Sequence, residues 1–417
     1  MKSILLLLGS TALVGAASWQ TDLDEAKRLS AAGQNAAAEA VYIRVLSNAE
    51  GLSATQLNAL ALQFHNLSRY RDAELLYGRS LAAWNKLGPS AAHDLVLTAF
   101  NLGNLLRIEG RYAEAETLLE NCLQQAEASA GPNSPDTGLA ASGLAAVYQA
   151  WGKLEDAESL ASRANTIFER DVTRNDTAWF NNRRILGLVY IGQRRFDRAE
   201  AVLRPLLARP ENRQTAAVYS DLASIALSQD RIAEAESLSL NALEAAKRFL
   251  PPAHPVRAAA LNNLAQSYRF QGRFLEAEKC YRDAIAAFEE SLGREHPETA
   301  KAAMNLAAFY HERGRETGAE VLYRRAAGIF DSAYGPQDPM TLVARNELAD
   351  VFRAERRFTE SEKLGCPSRT SLQALLGPKD PRVVRAMVNY ARLLEDAGRS
   401  KRAAALRARK GSVVTPD

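Results

Sequence analysis

The chain has 417 residues, 47% of them hydrophobic and 24% charged, with 52 Lys+Arg against 49 Asp+Glu. These values match ordinary globular proteins and exclude wholesale disorder and a multi-span membrane protein. A formal charge of +3 leaves no broad basic field to steer nucleic acid or anionic lipid.

Met1 to Ser18 reads MKSILLLLGSTALVGAAS: one Lys, an apolar run from Ile4 to Val14, then small residues leading to Ala16 and Ala17. A positive start, a short apolar core and an A-x-A-like exit make a secretory leader. The core of about 11 residues is too short for the ~20 that a membrane-spanning helix needs. The expectation is therefore a cleaved signal over residues 1–17, export to the bacterial periplasm or beyond, and no stable membrane insertion. No Cys lies near the cleavage site to carry a lipid anchor.

The three Cys, Cys122, Cys280 and Cys366, are too far apart for a C-x-x-C or C…H site, so no metal and no redox motif is indicated. Cys122 and Cys280 fall where other copies of the repeat described next carry Ala or Leu, which suggests small buried hydrophobes.

The string GRYAEAE at Gly110 recurs in degenerate form along the chain. Its frames start at Gly33, Ser68, Gly152, Arg194, Asp230, Gly272, Gly314, Arg356 and Gly398. Successive starts differ by 42 residues at seven of nine steps, by 35 at the first and by 36 at Arg194–Asp230. A fixed period of this size marks a solenoid and overrides the two or three domains that length alone suggests. Each copy reads as a helical hairpin. Before the turn, Leu261, Leu264, Ala265 and Tyr268 recur at spacings of three and four. Gly272 closes the first helix, where a positive φ costs Gly little, and a second helix runs from Leu275 to Ser291. Five residues past each turn start stands Ala38, Ala73, Ala115, Ala157, Ala199, Ala235, Ala277, Ala319 or Ala403, with Ser361 the exception. A position kept to this size predicts a close helix crossing. A Glu follows at nine of ten copies, at a helix N-terminus that favours negative charge. Nothing alternates with period two, so no sheet is expected.

Linkers such as LGREHPET from Leu292 and YGPQDPMT from Tyr334 end one helix at Gly and open the next at Pro. The 36-residue step lacks such a linker and contains Arg204-Pro205 and Arg209-Pro210, which predicts a local irregularity. Pro367 predicts a second one inside a helix. The last hairpin, with Lys401, Arg402, Arg407, Arg409 and Lys410, reads as a polar cap that favours a monomer.

The segment LNNLAQSYRFQGRFLEAEKCYRDAIAAFEESLGREHPETA (Leu261–Ala300) and its neighbours resemble the tetratricopeptide repeat family, in the 42-residue form of kinesin light chains. The resemblance covers about residues 22–410. It implies an all-α, right-handed superhelical solenoid of antiparallel helix hairpins, with a disordered tail expected at 411–417. It also implies a concave groove, lined by the first helices, that takes an extended peptide or partner segment.

Nine residues before each turn start the apolar stripe is interrupted by Ala59, Asn101, Gly143, Ile185, Asp221, Asn263, Asn305, Glu347 and Asn389. Asn is a poor mid-helix residue, yet its amide can donate to and accept from a peptide backbone. The family resemblance implies that role for Asn101, Asn263, Asn305 and Asn389, while Ala59, Gly143 and Ile185 interrupt the row. Along the same face stand Asn104, Gln266 and Arg392, and then Arg107, Arg269, His311 and Arg353. They predict a polar, locally positive groove suited to an acidic partner. The alternative for the row is Asn bonding the neighbouring hairpin, and for each Arg a solvated surface charge.

Catalysis finds little support. His311-Glu312 begins like H-E-x-x-H but lacks the second His, and His254 and His296 sit in turn-like H-P linkers. There is no nucleophile elbow, no phosphate loop and no non-repeat stretch of about 100 residues for a catalytic domain. The sequence thus predicts a non-enzymatic scaffold that binds a protein or peptide without cofactor or nucleic acid. The competing reading is a structural module that assembles oligomers or envelope complexes through its ends or convex face.

Overall fold

The structure, a computed structural model, describes residues 19–29, 34–66, 69–171, 176–209, 212, 214–250 and 254–411. The expected leader, the tail beyond Gly411 and the turn starts Gly33 and Ser68 lie outside the described residues. Among the described residues the secondary structure is helical, with no strand.

The chain divides into two units, Met1–Arg194 and Arg195–Asp417. The first unit pairs α1 (19–29) with α2 (Asn35–Ser47), and α3 (Ala54–Asn66) with α4 (Tyr70–Leu87). It continues with α5 (Ala92–Ile108) and α6 (Tyr112–Ala130), α7 (Pro135–Trp151) and α8 (Leu154–Phe168), and ends on α9 (Asp176–Gly192). The second unit starts with α10 (Phe196–Leu203), then pairs α11 (Thr215–Ser228) with α12 (Ile232–Phe249) and α13 (Pro255–Phe270) with α14 (Phe274–Leu292). Three hairpins follow: α15 (Pro297–Glu312) and α16 (Glu316–Tyr334), α17 (Pro339–Ala354) and α18 (Phe358–Leu376), α19 (Pro381–Asp396) and α20 (Ser400–Gly411). Within each unit a second helix packs on its own first helix and on the next one, and neighbouring first helices also touch. Each unit is therefore an all-α stack of helix hairpins.

The turns explain the GR(Y/F) signature. Gly110, Gly152, Gly272, Gly314 and Gly398 take φ between 67° and 86°. At Gly272 the amide donates to the Arg269 carbonyl (3.1 Å) and the Arg273 amide to the Tyr268 carbonyl (2.9 Å). These two bonds satisfy carbonyls that the end of a helix would leave bare. Arg194, Asp230 and Arg356 hold the same left-handed position without being Gly.

The small position five residues later is buried in every copy. At the exception, the Ser361 hydroxyl donates to the Ala349 carbonyl at 2.6 Å, so the larger polar side chain is satisfied in place. Linkers behave as expected. Pro135, Pro255, Pro297, Pro339 and Pro381 each open a first helix, behind the caps Ser134, His254, His296, Asp338 and Asp380. His254 and His296 accept backbone amides through Nδ1, which gives both a capping role. The irregularity at the 36-residue step is present: α10 has only 8 residues and tightens into a 3-10 turn at Arg204, where Pro205 supplies no amide hydrogen. By contrast α18 runs unbroken through Pro367. Cys122 is buried and its thiol is pushed up to about 12 by burial, while Cys280 is half-buried.

Candidate functional site

The row of nine-before-turn residues lies at the seam between successive first helices. For Asn101, Asn263 and Asn305 the partner across the seam is the residue ten before the turn of the preceding hairpin. Asn101 Nδ2 donates to Asn58 Oδ1 at 3.3 Å, and Asn305 Nδ2 donates to Asn262 Oδ1 at 2.9 Å. Asn263, buried, donates to the Ser220 carbonyl at 2.9 Å. In these three copies the Asn ties one hairpin to the last and spends an amide hydrogen there. Gly143 breaks the row because a Cβ there would lie 2.9 Å from the Phe100 ring, which occupies the seam. Asn389 faces Asn346 across a cavity of about 10 Å³ that Asp350, Ser361 and Tyr390 also line. Its Nδ2 is buried without a protein hydrogen-bond acceptor.

The basic residues of the face are held by hydrogen bonds, in the second unit mainly to carboxylates. In the first unit Arg107 chelates Asn104 Oδ1 through Nε and Nη2 at 3.0 and 2.7 Å. In the second unit Arg269 pairs with Glu312 of the next hairpin at 2.9 Å. Arg353 bridges Asp350 (2.6 Å) and Asp396 of the next hairpin (2.7 Å). His311 lies between Asp350, 3.2 Å from Nε2, and Glu316, 2.6 Å from Nδ1. The hydrogen bond to Asp350 does most to raise its pKa, to about 9, so the ring is cationic at neutral pH. Burial would raise Asp350, but its bonds to His311 and Arg353 outweigh that and hold the carboxyl below its ordinary range. The locally positive groove expected from sequence is thus corrected to an alternating ladder of cations and carboxylates. Arg392 is exposed and has no ion pair among the described residues, and Gln266 is half-buried.

Glu347 was the least expected member of the row. It is 6% exposed, and burial drives its carboxyl pKa upward against the pull of Arg385, 2.9 Å away on α19.

A second set of contacts was missed in the sequence. In eight copies the Glu six residues past the turn start is bonded by the basic residue one past the next turn start, which a helix-dipole role does not anticipate. In the first unit Arg69 pairs with Glu39 (2.5 Å), Arg111 with Glu74 (2.8 Å) and Lys153 with Glu116 (2.7 Å). In the second unit Arg231 pairs with Glu200 and Arg273 with Glu236, and Arg315, Arg357 and Arg399 pair with Glu278, Glu320 and Glu362. Several of these cations also lie over an aromatic ring four residues before the turn: Arg273 over Tyr268 at 3.9 Å, Arg315 over Tyr310 at 4.1 Å, Arg357 over Phe352 at 4.2 Å. The recurrence of Glu and Arg at a fixed offset of 37 residues across the longer steps was the signal available.

Among the described residues no group of three or more His, Cys, Asp or Glu is placed to hold a metal ion, and no helix is long and apolar enough to cross a membrane.

A tetratricopeptide repeat family model matches residues 94–170, 214–290, 256–332 and 298–366. Similar solved structures include the apo form of the quorum sensor NprR from B. thuringiensis, at 15% identity and a TM-score of 0.54 over 85% of this chain and 98% of that one. A signal transduction ATPase (STAND) protein with a tetratricopeptide repeat sensor, PH0952 from Pyrococcus horikoshii, gives 15% identity and 0.50 over 81% of this chain and 51% of that one. BtubC (BKLC) from P. vanneervenii gives 22% identity and 0.46 over 54% and 92%. No curated protein sequence matches the chain.

Proposed function

Since the chain belongs to the tetratricopeptide repeat family, a scaffold suited to protein binding, we propose that it is a non-enzymatic receptor for an extended protein segment laid across its first helices. The observation that supports this is the register. Helices α13, α15, α17 and α19 bring equivalent positions side by side, so a segment crossing them meets a polar or charged side chain at each hairpin. With the amides of Asn101, Asn263 and Asn305 spent on the seams and Arg269 and Arg353 on carboxylates, discrimination falls to groups that hold no ion pair. Gln266 and Arg392 are the first of these. Alternating charge along the ladder favours a partner carrying both signs over a purely acidic one.

We further propose that the protein is exported, on the leader-like pattern of residues 1–17. Mass spectrometry of the mature chain tests this, and an intact Met1 would refute it. Binding is tested by comparing partner capture by the wild type and by Gln266→Ala/Arg392→Ala. The account expects loss of capture at unchanged thermal stability, and full capture by the double variant would overturn it.

A further inference from the structure

The Glu347–Arg385 pair departs from the pattern of its row. Where other hairpins place Asn and reach back to a polar group of the preceding helix, the position behind Glu347 holds Met304, which offers no donor. Glu347 instead reaches forward: Arg385 Nη2 lies 2.9 Å from Glu347 Oε2. The two ends of this bond sit in unlike surroundings. The carboxylate is buried, whereas the Arg385 side chain is 64% exposed on the same helix as Arg392. A buried carboxylate gives up most of its hydration and is costly to keep charged, while the exposed guanidinium can exchange its partner for another anion at little cost.

We propose that Arg385 is an oxyanion-binding group on the first-helix face of the second unit and that Glu347 is its built-in occupant, displaced when a proton reaches the carboxylate. The inference rests on that face being the binding face. Protonation moves one proton from solvent onto Glu347 and leaves the Arg385 charge unchanged but unpaired, ready for a carboxylate, phosphate or sulfate group. Around Glu347 stand His311 of α15, Tyr323 of α16, Asn346 and Asp350 of its own helix, and Arg385 of α19. From α18, Ser361 and Gly365 reach the cavity beside Asp350, and neither titrates in this range. Burial and the Asp350 charge both push the carboxyl pKa upward, while Arg385, Asn346 and His311 oppose them. The direction is upward, so as the pH falls the Arg385 site empties before the ordinary surface carboxylates respond.

The probe is inorganic sulfate, whose charge is constant between pH 5 and 8, followed through the Arg385 Cζ resonance of the full chain at fixed ionic strength. Sulfate should bind several-fold more tightly at pH 5 than at pH 8 in the wild type, and Glu347→Gln should bind at pH 8 as the wild type does at pH 5. An identical wild-type response at both pH values, or a Glu347→Gln variant no tighter than wild type at pH 8, would overturn the proposal. No partner protein enters this titration, so its failure and the failure of the receptor reading are separable.

Discussion

Arg69 reaches back to the preceding hairpin, where its Nη1 lies 2.5 Å from Glu39 Oε2 and its guanidinium sits 4.4 Å above the Tyr42 ring. The same cation is 2.6 Å from Asp72 of its own hairpin. One side chain thus joins two hairpins through charge and π-contact together. The Glu39 end is half-exposed and screened, so the ion pair contributes little by itself. Adding the cation–π contact, Arg69→Ala should cost about 1–2 kcal/mol, and Arg69→Lys should recover only part of it. Chemical denaturation of the three proteins checks this ordering.

The left-handed turn positions predict opposite effects of opposite substitutions. Arg356 has φ 63° and an exposed side chain, so Arg356→Gly should raise stability by up to about 1 kcal/mol by removing backbone strain. At Gly314, φ 67°, an added Cβ meets nothing within 4 Å. Gly314→Ala should therefore cost about 1 kcal/mol through conformation alone. Denaturant midpoints at unchanged slope would show both.

Replacing Asn263 and Asn305 by Ala is expected to lower stability, because both amides bond the preceding hairpin. The loss should be about 1–3 kcal/mol, larger at buried Asn263, where the Ser220 carbonyl loses its donor. A thermal melt unchanged by Asn263→Ala would contradict this seam role.

His311 makes stability depend on pH in the alkaline range. Its folded pKa of about 9 lies above the ordinary 6.5. The folded state therefore holds the proton more tightly, and the stabilisation is fully present below pH 6.5. It is lost as pH rises through 9. The lowered Asp350 has the opposite sign: its contribution is present above its ordinary 3.8 and is lost as pH falls through its folded value. Urea unfolding at pH 6, 7.5 and 9 should show a decline in the wild type that His311→Gln lacks.

The architecture was legible because each hairpin repeats local rules: a turn Gly, a small residue at the crossing, a Pro after a cap. Those signals act within a few residues. What escaped the sequence acts across hairpins. Glu236 looks like a helix-terminus charge until Arg273 of the next hairpin is seen bonded to it. Asn305 fits a ligand amide as well as a seam bond until Asn262 faces it. Arg353 looks like a free cation until Asp396 closes on it. All three partners lie 37 to 43 residues away, and their pairing depends on how one hairpin seats on the next.

The central claim is that a protein segment lies across the first helices. Site-specific photo-crosslinking tests it most directly, with the reactive side chain placed at Gln266 or Arg392 on that face and at Leu240 on second helix α12. The account predicts partner adducts from positions 266 and 392 and none from 240. Adducts from 240 alone would contradict it.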